Sequence, residues 1–317
     1  MENTDSFLYL FPVYLRQLWG QAVREYRRLE EIRLRIGKPV IVKLHEGEYF
    51  LDGRGNLTGN LNEAYHIDDG EMKDIWAQIC HDSPYAYEDE IKQGFLTVSG
   101  GHRIGVAGQV VVEEDGRVRT LKHISALNIR IAHERPGCAD KLLHHLYEEG
   151  RLCNTLLISP PGCGKTTFLR DIIRQVSDGN RFAKGMTVGV VDERSEIAGS
   201  YMGVAQNDVG IRTDVLDACP KIYGMMMLIR SMAPQVVAID ELGSLEDVEA
   251  MRRVASCGCK LLATIHGSGV EDVAGKAFMK ELLSEKLFSR YVVLRKNNGC
   301  PQIGEIYKEG MEECCES

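Results

Sequence analysis

The feature that most constrains this chain is a short apolar run, Thr155-Leu156-Leu157-Ile158, that passes straight into a glycine-rich loop. The loop reads Ser159-Pro160-Pro161-Gly162-Cys163-Gly164-Lys165-Thr166-Thr167 and opens an amphipathic stretch from Lys165 to Val176. Strand, glycine-rich loop, lysine, hydroxyls and helix in that order are the context a phosphate-binding loop requires. Gly162 and Gly164 let the backbone turn so that successive N–H groups face phosphate oxygens, and the helix start adds a potential favourable to anions. Lys165 is expected to reach the β- and γ-phosphates, and the Thr166 hydroxyl to ligate Mg²⁺. The whole run from Ser159 to Thr167 is the expected ATP site. Ser159 stands where the pattern GxxxxGK[ST] has its first glycine, which bears on how tightly the loop closes and leaves the chemistry in place.

Three further apolar runs end in polar residues. Val236-Val237-Ala238-Ile239 is followed by Asp240-Glu241 about 75 residues after the loop. A buried strand ending in a carboxylate beside such a loop can hold Mg²⁺, which makes Asp240 a metal candidate and Glu241 the group to polarise an attacking water. Val190-Val191 leads into Asp192-Glu193-Arg194, offering Asp192 as a second metal candidate and Glu193 as a second base. Which acid takes which role stays open. Leu261-Leu262-Ala263-Thr264-Ile265-His266 places polar residues at the end of a core strand, where His266 can sense the γ-phosphate by hydrogen bonding.

Short apolar strands alternating with helices mean a parallel sheet covered on both faces. That rhythm begins after the cluster Glu134-Arg135-Pro136-Gly137, with a helix expected from Ala139 to Tyr147 and another from Leu245 to Ser256. Before the cluster the pattern differs. Phe7 to Leu29 reads as two short helices around Pro12, and Glu31 to Ile36 alternates charged and apolar residues as a half-buried strand does. Gly37-Lys38-Pro39 turns that strand back into Val40 to Leu44. A helix follows from Asp68 to Cys80, and strands at Gly94–Val98, Arg103–Val106, Gln109–Glu113 and Leu127–Ile131 are punctuated by glycines. The expected organisation is therefore an α+β domain over 1–136 and an α/β domain over 137–317.

Composition narrows the function. The 317 residues are 44% apolar and 26% charged, which excludes a disordered, collagenous or rod-like chain. Acids outnumber Lys and Arg by 46 to 38, and no basic tract is interleaved with aromatics, so no stable nucleic-acid partner is expected. A nucleic-acid-directed RecA-like ATPase is the alternative reading, one that DNA-stimulated hydrolysis would favour. A small-molecule kinase lacks its arginine-bearing lid. No apolar run approaches the roughly 18 residues of a membrane span, and Asp5 precedes the N-terminal apolar stretch where a signal peptide has positive charge. The ten irregularly spaced cysteines read as reduced thiols, and neither Cys257-Gly258-Cys259 nor Cys314-Cys315 has a second pair at metal-ligand spacing. A cytoplasmic location is expected.

With these boxes in order, the chain resembles the type II/type IV secretion and pilus-motor ATPases. Arg230 to Asp247 carries the stretch that runs from an arginine and a proline through an apolar strand to an acid, and the boxes at 159–166, 190–196, 236–241 and ending at His266 follow the superfamily's sequence. Within it, Glu31–Pro39, His123–Ile131 and Val191–Ala198 resemble a branch of cytosolic ATPases from endospore-forming bacteria. The resemblance implies a RecA-like P-loop ATPase domain with a smaller α+β N-terminal domain. It further implies a hexameric ring, peripheral at the membrane, energising an integral-membrane channel or secretion-apparatus protein between mother cell and forespore. It also implies that N-terminal-domain arginines point at the nucleotide, here Arg103 and Arg130. The chain departs from some members in lacking a four-cysteine zinc module.

Overall fold

The computed structural model describes residues 3–81, 83, 87–297 and 300–309. The chain divides into two compact units, Met1–His133 with Gly199–Met202, and Glu134–Ala198 with Gly203–Ser317. Gly199–Met202 therefore groups with the first unit, which a single cut after residue 136 does not express. Within that unit Tyr201 packs against the first core, and its hydroxyl bonds the Tyr87 hydroxyl at 3.1 Å and His81 Nε2 at 2.9 Å.

The charge alternation of residues 31–36 fixes the first unit. In β1 (Leu29–Arg35) Ile32 and Leu34 are buried and Arg33 is exposed. It lies centrally in a seven-stranded sheet with β2 (Ile41–Leu44), β3 (Gly47–Leu51), β4 (Leu57–Thr58), β5 (Phe95–Thr97), β6 (Arg103–Val112) and β7 (Val118–Arg130), in the order β4-β3-β2-β1-β7-β6-β5. All neighbours are antiparallel, so one face is free to be apolar and the other polar. The core holds Phe7, Phe11 and Trp19 together with Ile32, Leu34, Ile75, Leu96, Ile104 and Ile129. Its helices are α1 (Asn3–Leu8), α2 (Gly20–Arg24), α3 (Asp69–Ile79) and α4 (Glu88–Lys92). The two helices expected over 7–29 are instead short segments, including 3₁₀ turns at Val13–Trp19 and Tyr26–Arg28. The two strands expected at 103–106 and 109–113 are one strand with a bulge between Ala107 and Gln109. Gly108 makes the bulge possible rather than ending the strand, because a Cβ there would lie 2.8 Å from the carbonyl oxygens of Lys122 and His123.

The second unit opens with turns leading into α5 (Leu143–Leu146) and the small hairpin of β8 (Tyr147–Glu148) and β9 (Arg151–Leu152). The helix expected over 139–147 is confined to those four residues. The buried set Ala139, Leu142, Leu143, Leu146 and Tyr147 keeps helical spacing, while i to i+3 bonds such as Leu142 N–H to Ala139 O tighten the backbone.

A second sheet follows: β10 (Thr155–Ser159), β11 (Val188–Asp192), β12 (Thr213–Asp217), β13 (Val236–Ile239), β14 (Lys260–His266), β15 (Arg290–Asn297) and β16 (Cys300–Lys308). Its order is β12-β11-β13-β14-β10-β15-β16, parallel except for the β15–β16 hairpin. Successive residues of one strand enter opposite cores. Leu157, Val190 and Ala238 cluster with Phe168, Leu169 and Ile172 of α6 (Lys165–Asp178). Leu156, Val191 and Ile239 cluster with Met225 and Leu228 of α7 (Lys221–Ser231) and Val248 and Met251 of α8 (Leu245–Ser256). Two short helices, α9 (Val270–Ala274) and α10 (Ala277–Ser284), complete the unit.

The P-loop helix is tied to the segment before it through Asp171. One carboxylate oxygen accepts the Gly137 amide at 3.0 Å and the Arg174 guanidinium at 2.7 Å, and the other accepts the Ala139 amide at 2.8 Å. Burial alone raises the Asp171 carboxyl, but these two amides and Arg174 outweigh it and hold it below the usual aspartate range. Asp171→Ala, which orphans two amides, is expected to cost about 1–3 kcal/mol at neutral pH in urea unfolding. Because the native pKa is depressed, the part of the contribution that depends on ionisation is complete above the unfolded value of about 4 and is lost as pH falls through the native one. A penalty that persists undiminished at acid pH would refute this account.

Candidate functional site

Parallel pairing brings the ends of distant strands to one edge. Ser159 stands opposite His266 across β10 and β14, and Ile239 opposite Ala263 across β13 and β14, so Asp240 continues beside Thr264. Val191 pairs with Ile239, which carries Asp192 up to the same edge. Open α/β sheets bind ligands along the carboxyl ends of their strands.

The loop over this edge is held open by two glycines in the left-handed region, Gly162 at φ 74° and Gly164 at φ 77°. Gly164 is doubly required, since a Cβ there would sit 2.7 Å from the Pro301 ring. It also caps α6 without a side-chain hydrogen bond, so the cap residue itself satisfies none of the first amides of the helix. Ser159 is buried at the end of β10 and its hydroxyl donates to Pro160 O at 3.0 Å. Cys163 is a buried thiol between the two glycines, and Pro161 is exposed.

Lys165 is buried at the start of α6, and burial pushes its ammonium below the usual lysine range against the opposing pull of Asp240 and Glu241. Its Nζ lies 2.9 Å from His266 Nδ1, and His266 Nε2 lies 2.7 Å from Glu241 Oε1. Both contacts are met when Nε2 carries the hydrogen and donates it to Glu241, leaving Nδ1 to accept from Lys165. Burial also opposes ionisation of Glu241, but the His266 hydrogen bond and the charges of Arg194 and Lys165 prevail and its pKa is lowered. Glu241 sits at φ 55°, a conformation costing a non-glycine residue about 1–2 kcal/mol. Its amide reaches Asp240 Oδ1 and Thr264 Oγ1, each at 3.0 Å. Asp240 is gripped from both sides, by the Thr166 hydroxyl on Oδ2 at 2.6 Å and by the Thr264 hydroxyl on Oδ1.

These residues fit a nucleoside triphosphate with Mg²⁺. A desolvated ammonium whose hydrogen-bond partner is an imidazole, at a helix start with no side-chain cap, is a place that an anion completes. A hydroxyl and a carboxylate within hydrogen-bond distance are hard oxygen donors of the kind Mg²⁺ takes alongside phosphate and water. Among the described residues no group of three His, Cys, Asp or Glu is placed to hold an ion unaided.

Residues 1–313 match the family model described as sporulation stage III, protein AA. The chain belongs to this family. It is 39% identical over 289 residues to stage III sporulation protein AA of Bacillus subtilis (strain 168), covering 90% of this chain and 89% of that one. Among solved structures it is similar to the Legionella pneumophila ATPase DotB, with a TM-score of 0.58 and 14% identity over 94% of this chain and 81% of that one. The pilus retraction motor PilT, solved with ADP, gives a TM-score of 0.58 at 16% identity, covering 90% and 80%. The fold is thus the α/β, RecA-like P-loop ATPase fold of secretion and pilus ATPases, with an N-terminal sheet unit. Among the described residues no helix is long and apolar enough to cross a membrane.

In this family member the structure gathers Lys165, Thr166, Asp240, Glu241 and His266 into one network. Asp192 stands apart in its bonding. It is buried, and its two oxygens accept the amides of Glu196 and Ala198, each at 2.8 Å, so it holds the turn after β11. Glu193 pairs with Lys221 rather than with the network. Arg103 and Arg130 belong to the first unit, directly opposite each other across β6 and β7, with the Arg103 guanidinium 3.6 Å from the centre of the Phe95 ring. Thr264 serves Asp240. Seven described cysteines are free thiols, Cys257 and Cys259 among them, and Cys314-Cys315 lies outside the described residues. Sequence reasoning missed the pairing of Arg194 with Glu241 and the contact of Pro301 with the loop, because neither depends on local spacing.

Burial pushes the Asp192 carboxyl up to about 6. A native pKa above the unfolded value means that the native state keeps its proton longer. This contribution to stability is therefore full below about pH 4 and is lost as pH rises through about 6. The parent chain is expected to lose about 2–3 kcal/mol of urea stability over this interval relative to Asp192→Asn. Parallel pH profiles of the two proteins would remove the assignment.

Proposed function

We propose that the chain is an ATP-hydrolysing motor subunit that works as a ring, a hexamer of copies of itself, in the cytoplasm. In this reading it is peripheral at the membrane and energises an integral-membrane channel or secretion-apparatus protein between mother cell and forespore. The observation that carries the catalytic part is the convergence of buried Lys165, the Thr166–Asp240 oxygen pair and Glu241 at three neighbouring strand ends. Family membership supports the sporulation setting, and likeness to secretion and pilus ATPases supports the motor class at the level of fold.

Bound ATP·Mg²⁺ supplies the phosphoanhydride to be cleaved and a cation that offsets phosphate charge. The residues Ser159 to Thr167 would form the cradle, with the Lys165 ammonium available to phosphate oxygens. Thr166 and Asp240 would hold the Mg²⁺. Glu241 orients and deprotonates the attacking water, and His266 sets the direction of its carboxylate through Oε1. Asp192 keeps the neighbouring turn in place, and Glu193 anchors Lys221. Arg103 and Arg130, supplied by the N-terminal unit of an adjacent copy, stabilise charge that develops on the phosphoryl oxygens.

Lys165→Ala is expected to remove tight ATP binding, since a desolvated charge-assisted contact is lost; an affinity within about twofold of the parent would end the P-loop assignment. Glu241→Gln is expected not to weaken ATP binding and to slow phosphate release by about 10²–10⁴. If Glu193→Gln is the inactive variant instead, the base is misassigned. Arg103→Ala or Arg130→Ala should slow turnover by up to about 10³–10⁵ while sparing affinity. Mixing such a variant with Lys165→Ala then restores part of the activity, because some interfaces combine both intact groups. No recovery in subunits that co-assemble would argue against action in trans.

A further inference from the structure

Glu241 is engaged at both carboxylate oxygens. His266 Nε2 gives Oε1 a hydrogen bond, and the Arg194 guanidinium stands 2.8 Å from Oε2. Both carboxylate oxygens already hold a partner, so the residue assigned as base is masked from water where it stands. The Arg194 side of the mask is the exchangeable one. Its side chain is 60% exposed, against 26% for Glu241, and solvent screens such a pair.

The backbone beneath Arg194 is the opposite of loose. Asp192 grips the amides of Glu196 and Ala198, and Arg170 from α6 donates to the carbonyls of the same turn, to Glu196 at 2.7 Å and to Ile197. Ser195, at φ 52°, donates its hydroxyl to Asp217 at 2.6 Å. The turn is thereby fastened to the helix that begins with Lys165. In the cleft that Arg194 shares with Glu193, Glu196, Asp240 and Glu241, the other cation, Lys221, is already paired with Glu193. A fixed root with a long, exposed, weakly held guanidinium is suited to exchange one anion for another.

We propose that Arg194 reads the terminal phosphate in cis, leaving Glu241 for the γ-phosphate of a bound nucleoside triphosphate. Recognition of the triphosphate and release of the base are then one exchange. A diphosphate has no γ-phosphate to compete, and the Arg194–Glu241 pair stays closed. This inference rests on the nucleotide-binding reading above and adds the element that separates ATP from ADP. It makes Glu241 and the γ-phosphate rivals for one guanidinium.

The rivalry is tested by equilibrium binding, without turnover. Mg²⁺ with the imido analogue of ATP, and Mg²⁺ with ADP, are titrated by calorimetry into the full chain and into Arg194→Ala, Glu241→Gln and the double variant. Arg194→Ala should weaken the analogue by about tenfold or more, the scale of one hydrogen bond to a charged group, and leave ADP unchanged. Glu241→Gln should tighten the analogue by about threefold or more through loss of the rival charge, and the gain should vanish when Arg194 is absent. Arg194→Lys should restore part of the preference. Equal weakening of both nucleotides, or a Glu241→Gln gain that survives without Arg194, overturns the inference while leaving the P-loop reading intact. If the parent chain binds neither nucleotide, the broader reading falls and this one with it.

Discussion

The lateral register of three parallel strands is the constraint on which the site depends. β13, β14 and β10 contribute residues separated by up to about a hundred positions in the chain, yet their carboxyl ends stop at one level because their backbones pair in step. Parallel strands hold that step only when both faces are buried. The continuous apolar runs of this sheet are therefore part of how Lys165, Asp240 and His266 come to face one another. Each strand feeds both cores, so a packing change on either face is felt at the same polar edge.

Much of this was legible in the amino-acid order, and the limits follow from physics. The loop from Ser159 to Thr167 was readable because each position answers to a local demand: turn, anion, hydroxyl, helix. Val236–Ile239 and Leu245–Ser256 match their expected bounds for the same reason, the latter fixed by a reciprocal cap between Ser244 and Asp247. The segment from Ala139 to Tyr147 shows the limit of periodicity, which identified the buried face and mistook the pitch. Gly108 shows another: a glycine demanded by a neighbouring strand looks the same in sequence as one demanded by a turn.

The site itself was legible in its membership and opaque in its pairing. Asp192, Glu193, Asp240 and Glu241 were interchangeable on paper, since all are acids at strand ends. What separates them is bonding across the fold. Asp192 is occupied by backbone amides, Glu193 by Lys221, Asp240 by two threonines, and Glu241 by a histidine and an arginine. Those partners lie 4 to 74 positions away from the acids they serve, as the separations of Glu196 from Asp192 and of Thr166 from Asp240 illustrate.

The grouping of Gly199–Met202 with the first unit has a topological consequence. The polypeptide passes from one unit to the other at 133/134, returns at 198/199 and leaves again at 202/203. The residue just before the second passage is Ala198, whose amide Asp192 holds. The chain thus crosses between the units three times, and a cut at the Glu134–Gly137 cluster leaves Gly199–Met202 on the fragment that carries the second unit. A fragment beginning at residue 137 carries Tyr201 away from Tyr87 and His81, so dissection at the visible linker divides the sequence without dividing the structure.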